Sequence, residues 1–184
     1  MVQILKSEIR KTALRKRSKL SHLEVKKLSY LINKQIFSQP YFKKSKNIAY
    51  FSPFRNEPHI ELPKSKNGYL PVIKNSKLHF AKITNEFVKN KYGILEPHNT
   101  DLIAPTELDL VLVPLLGFNK KLDRVGYGKG YYDKYLRNLC TVNTNAQFWG
   151  ICYDFQLTEY DFRTNIDVSL HKVITDTRIY ERKI

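Results

Sequence analysis

The run Leu110-Val111-Leu112-Val113 sets four branched apolar side chains in a row between Asp109 and Pro114. Successive side chains of an extended strand point to opposite faces, so an unbroken apolar run must be covered on both sides. That excludes a sheet with one wet face here and predicts a central strand over 108–114, buried between two layers. The flanking segments fit the same plan. Short apolar runs at 47–51, 69–73, 78–83 and 148–153 read as strands, with two more at 172–175 and 178–180. Helices are predicted over 4–17, where Leu5, Ile9 and Ala13 recur at helical spacing, and over 22–37, where Ser21 and Glu24 form a capping box and Pro40 stops the run. A further helix is predicted over 129–139. Strand, loop, helix, strand is the grammar of an α/β fold with a mostly parallel sheet. We expect one domain, a three-layer α/β/α sandwich spanning 1–184, with the helices of 1–40 packed on it as a pair. In such folds ligands bind outside the carboxyl ends of the strands, so the loops after Phe51 and Val113 are the places to search.

Composition removes several classes. Hydrophobic residues at 42% and charged ones at 27% are ordinary for a globular chain, which excludes wholesale disorder. The two cysteines, Cys140 and Cys152, exclude a disulfide scaffold and read as buried thiols. There is no apolar run long enough for a membrane span, and residues 1–20 lack the apolar centre of a signal peptide. A cytoplasmic protein without a membrane role is the expectation. Five scattered histidines show no metal-ligand spacing. The net charge of +15 is concentrated: residues 1–50 hold 13 basic and 2 acidic side chains. That excess can be the solvated face of lysine-rich helices, a site for a small polyanion, or a nucleic-acid surface.

Glycine is scarce, with seven in the chain, yet four lie between Gly117 and Gly130. The loop Arg124-Val125-Gly126-Tyr127-Gly128-Lys129-Gly130-Tyr131-Tyr132-Asp133 follows the central strand and opens a helix. Glycines let backbone N–H groups approach an anion, the helix N-terminus adds partial positive charge, and Arg124 and Lys129 add full charges. The chemistry suits phosphate. The spacing is neither a Walker A loop nor a dinucleotide fingerprint. Asp133, in the first helical turn, can stabilise the helix dipole, pair with Arg137, or ligate magnesium beside phosphates.

Taken from Pro114 through Phe118 and Arg124 to the G-x-G-x-G-Y-Y-D core, this stretch resembles the 5-formyltetrahydrofolate cyclo-ligase family, also called methenyltetrahydrofolate synthetases. The resemblance runs nearly end to end. Lys6 and Arg10 are similar to the family's early K-x-x-x-R, Tyr50 to Glu57 to its strand and loop ending in glutamate, and Gly93-Ile94-Leu95-Glu96-Pro97 to its G-I-x-E-P segment. Asp167 stands where the family carries a late aspartate.

The resemblance implies a role for each matched residue. ATP, the co-substrate, would be bound by Lys6, Ser7, Glu8, Ile9 and Arg10 and by the loop residues Arg124, Val125, Gly126, Tyr127, Gly128, Lys129, Gly130, Tyr131 and Tyr132. Reduced folate would be bound by Arg10, Glu57, Tyr127, Gly128, Lys129, Gly130 and Tyr131. Arg124, Lys129 and Tyr131 would act in catalysis, and Asp133 and Asp167 would hold Mg2+. The implied reaction is ATP- and magnesium-dependent cyclisation of 5-formyltetrahydrofolate to 5,10-methenyltetrahydrofolate, by a monomer working on small molecules without nucleic acid. A nucleotide-binding regulatory protein without turnover and a basic nucleic-acid-binding protein remain the other two readings. Two departures from the family pattern stand out. Asn119 and Leu122 replace the usual aspartate and glycine before Arg124. Only 13 residues separate Glu57 from Pro71, so the crossover helix expected there has two turns or fewer, and the folate pocket is expected to be shallower.

Overall fold

The computed structural model describes residues 2–90, 93–98 and 101–181. The chain begins with helices α1 (Val2–Arg17), α2 (His22–Ser38) and α3 (Pro40–Lys44). Strands β1 (Asn47–Ala49), β2 (Asn67–Lys74) and β3 (Lys77–Lys82) follow. Next come β4 (Phe87–Lys89), β5 (Leu95–Pro97), the central β6 (Leu110–Pro114), and the short pair β7 (Gly117–Phe118) and β8 (Arg124–Val125). Helix α4 (Tyr131–Val142), β9 (Gln147–Ile151), β10 (Lys172–Ile174) and β11 (Ile179–Glu181) complete the fold. Seven strands form the main sheet in the order β11-β10-β9-β6-β1-β2-β3. The five from β10 to β2 run parallel, while β3 and β11 are antiparallel edges.

The central strand is buried as its sequence requires. Leu110 and Leu112 face one way, into a core with Ile32 and Ile36 of α2, Phe42 of α3 and Trp149. Val111 and Val113 face the other way, against Tyr135, Leu136 and Leu139 of α4. Ile48 and Ala49, Phe148 and Trp149, and Val173 and Ile174 divide between the same two cores. The result is the expected three-layer sandwich, with α2 and α3 on one face and α4 on the other. Helix α1 packs instead against β7 and β8, beyond the sheet's carboxyl edge. Among the described residues no helix is long and apolar enough to cross a membrane.

Several sequence expectations are corrected. Pro40 ends α2 but also opens α3, because a proline at the first helical position has no N–H to lose. The predicted helix between Glu57 and Pro71 is absent; the segment is extended and turns only at residues 64–65. Pro58 and Pro63 oppose a helix, and α2 supplies the missing backbone partners. Ser29 Oγ accepts from the His59 N–H at 2.9 Å, while Asn33 donates to the His59 carbonyl at 2.8 Å and accepts from the Glu61 N–H at 3.1 Å. The fourth helix starts at Tyr131 rather than Lys129, because Gly130, its N-cap, is left-handed with φ 70°. Cys140 is exposed; only Cys152 is a buried thiol.

Leu122, which replaces the family's glycine, keeps a left-handed backbone with φ 63° and is fully buried. Asn119 holds the turn, its Oδ1 accepting from the N–H groups of Lys121 and Asp123 at 3.0 Å each. The left-handed strain of about 1–2 kcal/mol is outweighed by burial of a leucine side chain, whose truncation costs about 2–5 kcal/mol. Leu122→Gly should therefore destabilise the fold by about 1–3 kcal/mol in denaturant unfolding. A stabilised variant would show that strain dominates.

Candidate active site

The strand order reverses between β1 and β6: the chain leaves β1 toward β2 on one side and returns through β6 to β9 on the other. A crevice at such a switch point is where open α/β sheets bind ligands. The loop after β1 carries Glu57, and the segment after β6 carries the glycine loop. Helix α1 lies across both. Lys6, Arg10, Ala13 and Arg17 recur at intervals of three and four residues, so they share one face of α1 over about 16 Å. Contact is close: a Cβ on Gly117 would lie 2.4 Å from Ile9 Cγ2, so only glycine admits the helix there.

Each cation on that face finds oxygen. Lys6 donates to Asp167 Oδ2 at 2.6 Å, and Arg10 Nε donates to the Gly126 carbonyl at 2.8 Å. Arg17, 1% exposed, donates to the Phe54 carbonyl at 2.5 Å, to the Arg55 carbonyl at 2.6 and 3.0 Å, and to the Tyr127 hydroxyl at 3.1 Å. Its guanidinium also lies 3.6 Å from Glu57 Oε1. Sequence reasoning passed over Arg17, although it continues the Lys6–Arg10 stripe and so carried a signal.

Glu57 is buried. Its Oε2 accepts from the Phe54 N–H and its Oε1 from the Tyr127 hydroxyl, both at 3.0 Å. Burial pushes its carboxyl above the ordinary carboxylate range, against Arg17 and these two donors. A carboxylate has about four acceptor positions, so both oxygens retain capacity for another donor.

The glycine loop is shaped from within. Gly128 is left-handed with φ 94°, and a Cβ there would sit 3.3 Å from the Arg10 guanidinium carbon. Among the described residues no protein group accepts from the N–H groups of Gly128, Lys129 or Gly130. Lys129 is exposed, and its ammonium has no partner among the described residues. Arg124, fixed on β8, donates from Nη1 to Asp133 Oδ1 at 2.8 Å and to the Val168 carbonyl at 3.3 Å, while its buried Nε has no acceptor. The Tyr132 hydroxyl is likewise buried without a partner; burial and Glu57 push it well above the ordinary phenol range, against the pull of Arg124. Tyr131 packs against the α4-side core. Val125 is buried in β8, leaving only its backbone toward the loop, and Ser7 is half-buried. Glu8 lies on the exposed side of α1, bonded to Lys11 at 3.1 Å.

The two aspartates assigned to magnesium each hold a cation already. Asp133 pairs with Arg124; Asp167 Oδ2 accepts from Lys6 and from the N–H and hydroxyl of Thr164, at 2.7 and 2.8 Å. Arg124 bridges Asp133 to the Val168 carbonyl beside Asp167, and Arg137 donates to the Ile166 carbonyl, so α4 and this segment abut. Each carboxylate keeps one oxygen outside these bonds. Among the described residues no group of three or more His, Cys, Asp or Glu side chains could hold a metal. The described residues therefore offer no all-protein cage for a resident ion, and a magnesium ion there would have to bring phosphate oxygens with it.

Fold and site define an α/β protein that gathers a glycine loop and the cations of α1 at its topological switch point. The comparisons place it further. Residues 2–176 match the 5-formyltetrahydrofolate cyclo-ligase family, and the chain belongs to that family. It is 33% identical to the 5-formyltetrahydrofolate cyclo-ligase of Mycoplasma genitalium, over 84% of this chain and 88% of that one. Its identity to the Mycoplasma pneumoniae enzyme of the same name is 30%, over 93% and 98%. The solved 5,10-methenyltetrahydrofolate synthetase of Aquifex aeolicus superposes with a TM-score of 0.81 at 29% identity, covering 98% of this chain and 96% of that one.

Burial opposes ionisation of Asp167, but Lys6 and the Thr164 donors outweigh it and hold the carboxyl below its ordinary value. A depressed folded-state pKa adds stability that is complete above the unfolded value of about 3.9 and is lost as pH falls from there through the folded value. Asp167→Asn should therefore shrink the Tm difference between neutral pH and pH of about 3. An unchanged difference would remove the Lys6–Asp167 pair as a source of acid sensitivity.

Proposed function

We propose that this chain cyclises 5-formyltetrahydrofolate at the expense of ATP, giving 5,10-methenyltetrahydrofolate, ADP and phosphate. The observation that carries this reading is the 3.0 Å hydrogen bond from Tyr127 to Glu57. It makes one site of the glycine loop, suited to phosphate, and the carboxylate on the loop after β1, suited to the N–H edge of a folate ring. The formyl oxygen attacks the γ-phosphorus, ADP departs, and an iminium phosphate remains. The neighbouring folate nitrogen then attacks the formyl carbon and sheds its proton, and phosphate leaves with that proton.

An amide oxygen is a weak nucleophile, but phosphoryl transfer depends chiefly on positioning and on stabilising charge. This chain supplies both. Glu57 receives the folate ring and Tyr127 closes over it. The N–H groups from Gly128 to Gly130 and the first turn of α4 face the phosphates. Lys129 and the free edge of Arg124 neutralise charge as the bond to ADP breaks, and Arg10 holds the loop through the Gly126 carbonyl. Tyr131 lines the junction between the two substrates. Asp133 and Asp167 would hold Mg2+ through their remaining oxygens, and the ion would supply charge neutralisation on the phosphates. No protein nucleophile is needed. We place the protein in the cytoplasm, as a monomer acting on reduced folate and ATP without nucleic acid or membrane. Free Cys140 and Cys152 suit a reducing compartment.

Lys129 is the clean test, because its exposed side chain has no structural partner to lose among the described residues. Lys129→Ala should lower kcat/KM for ATP by more than about tenfold at unchanged Tm, since a lost charge contact to phosphate is worth about 1.5–3 kcal/mol. Activity within about threefold of the parent would remove Lys129 from the phosphate site. Arg124→Ala is less clean: stripping Asp133 of a buried partner costs stability as well.

A further inference from the structure

The loop that carries Glu57 cannot hold its shape alone. Arg55 and Asn56 are both left-handed, with φ 50° and 57°, a conformation that asparagine tolerates but that strains an arginine. Three elements clamp it. Arg17 gathers the Phe54 and Arg55 carbonyls. Asn56 donates to the Arg17 and Leu20 carbonyls at 2.9 and 3.1 Å, and Tyr153 donates to the Asn56 carbonyl at 3.0 Å. Arg17 alone among these also reaches the functional groups. One Nη2 donates to the Tyr127 hydroxyl, which donates onward to Glu57, and the same nitrogen lies 3.6 Å from that carboxylate.

We propose that Arg17 is a positioning residue for the folate subsite, fixing the 54–57 turn, the Glu57 carboxylate and Tyr127 in one arrangement. The inference rests on reading Glu57 as the folate-side carboxylate. A planar guanidinium is what the geometry demands. One edge of that guanidinium, Nε and Nη2, donates to two carbonyls and a phenol and sets its charge 3.6 Å from the carboxylate, while Nη1 stays buried without a partner; a lysine ammonium offers a point charge without this flat fork. Nucleotide is expected to be little affected, because the phosphate-facing N–H groups and Lys129 lie beyond Tyr127 and are held by Arg10 and Gly128 instead.

The test measures steady-state kinetics with each substrate varied at saturation of the other, on the full chain. Arg17→Lys keeps the charge, and Tyr127→Phe removes only the relay hydroxyl, so neither relies on a variant that strands Glu57 without a cation. Arg17→Lys should raise KM for 5-formyltetrahydrofolate about tenfold or more and leave KM for ATP within about threefold. Tyr127→Phe should reproduce part of that effect, and adding Glu57→Gln to Arg17→Lys should cost less than the sum of the two changes. Unchanged folate KM in Arg17→Lys, or equal increases for both substrates accompanied by a lower Tm, would overturn the inference and leave Arg17 a structural residue. If Glu57→Gln alone leaves folate KM unchanged, the folate reading of Glu57 falls and the inference falls with it. If Glu57→Gln raises folate KM while Arg17→Lys is silent, the inference alone is overturned.

Discussion

A helix whose buried face is cationic constrains everything around it. Lys6, Arg10 and Arg17 turn inward on α1, and a charge taken out of water must meet oxygen or be expelled. Three separate segments supply that oxygen: the stretch ending at Asp167, the carbonyl of Gly126, and the turn at Phe54 and Arg55. None of the three lies in the sheet. They are the loops at its carboxyl edge, and α1 gathers them into one wall. The site is thus assembled by the helix as much as by the strands, and close contact of Ile9 with Gly117 fixes where the helix lies.

The same economy explains how a short chain completes the fold. A parallel connection from β1 to β2 normally passes through a helix long enough to cover the sheet. Here 13 residues between Glu57 and Pro71 make the crossing extended, and Ser29 and Asn33 of α2 take over the hydrogen bonding a helix would have supplied internally. Covering the sheet then falls to Ile60 and Leu62, whose side chains join the α2-side core. Glu57 is therefore anchored by its own turn and by α1, not by a crossover helix, which is why the Arg17 contact bears on it so directly.

Much of this was legible in the residues. The apolar run of β6 required two covering layers, and the alternation of Leu110 and Leu112 with Val111 and Val113 between the two cores is that requirement met. The capping box at Ser21 and Glu24 marked the start of α2. The concentration of glycine marked the loop that joins Glu57 and Arg124. Other features were not legible, for physical reasons. Partners of Asp133 and Asp167 are cations 9 and 161 residues away, and no local pattern encodes such pairs. The hairpin of β4 and β5 stands outside the main sheet with β4 exposed along its whole length, so no buried face leaves a pattern to read. Arg17 was legible only in part: its spacing sets it on the face of Lys6 and Arg10, but spacing does not say that this face of a polar helix is the buried one.

On the function proposed above, the loops gathered under α1 bring reduced folate and nucleotide together for a single coupled reaction. Absorbance in the methenyl-folate band tests it most directly, with purified protein, 5-formyltetrahydrofolate, ATP and magnesium mixed and each omitted in turn. An increase is expected only when all four are present. An increase without ATP, or none in the complete mixture while ATP still binds, would contradict it.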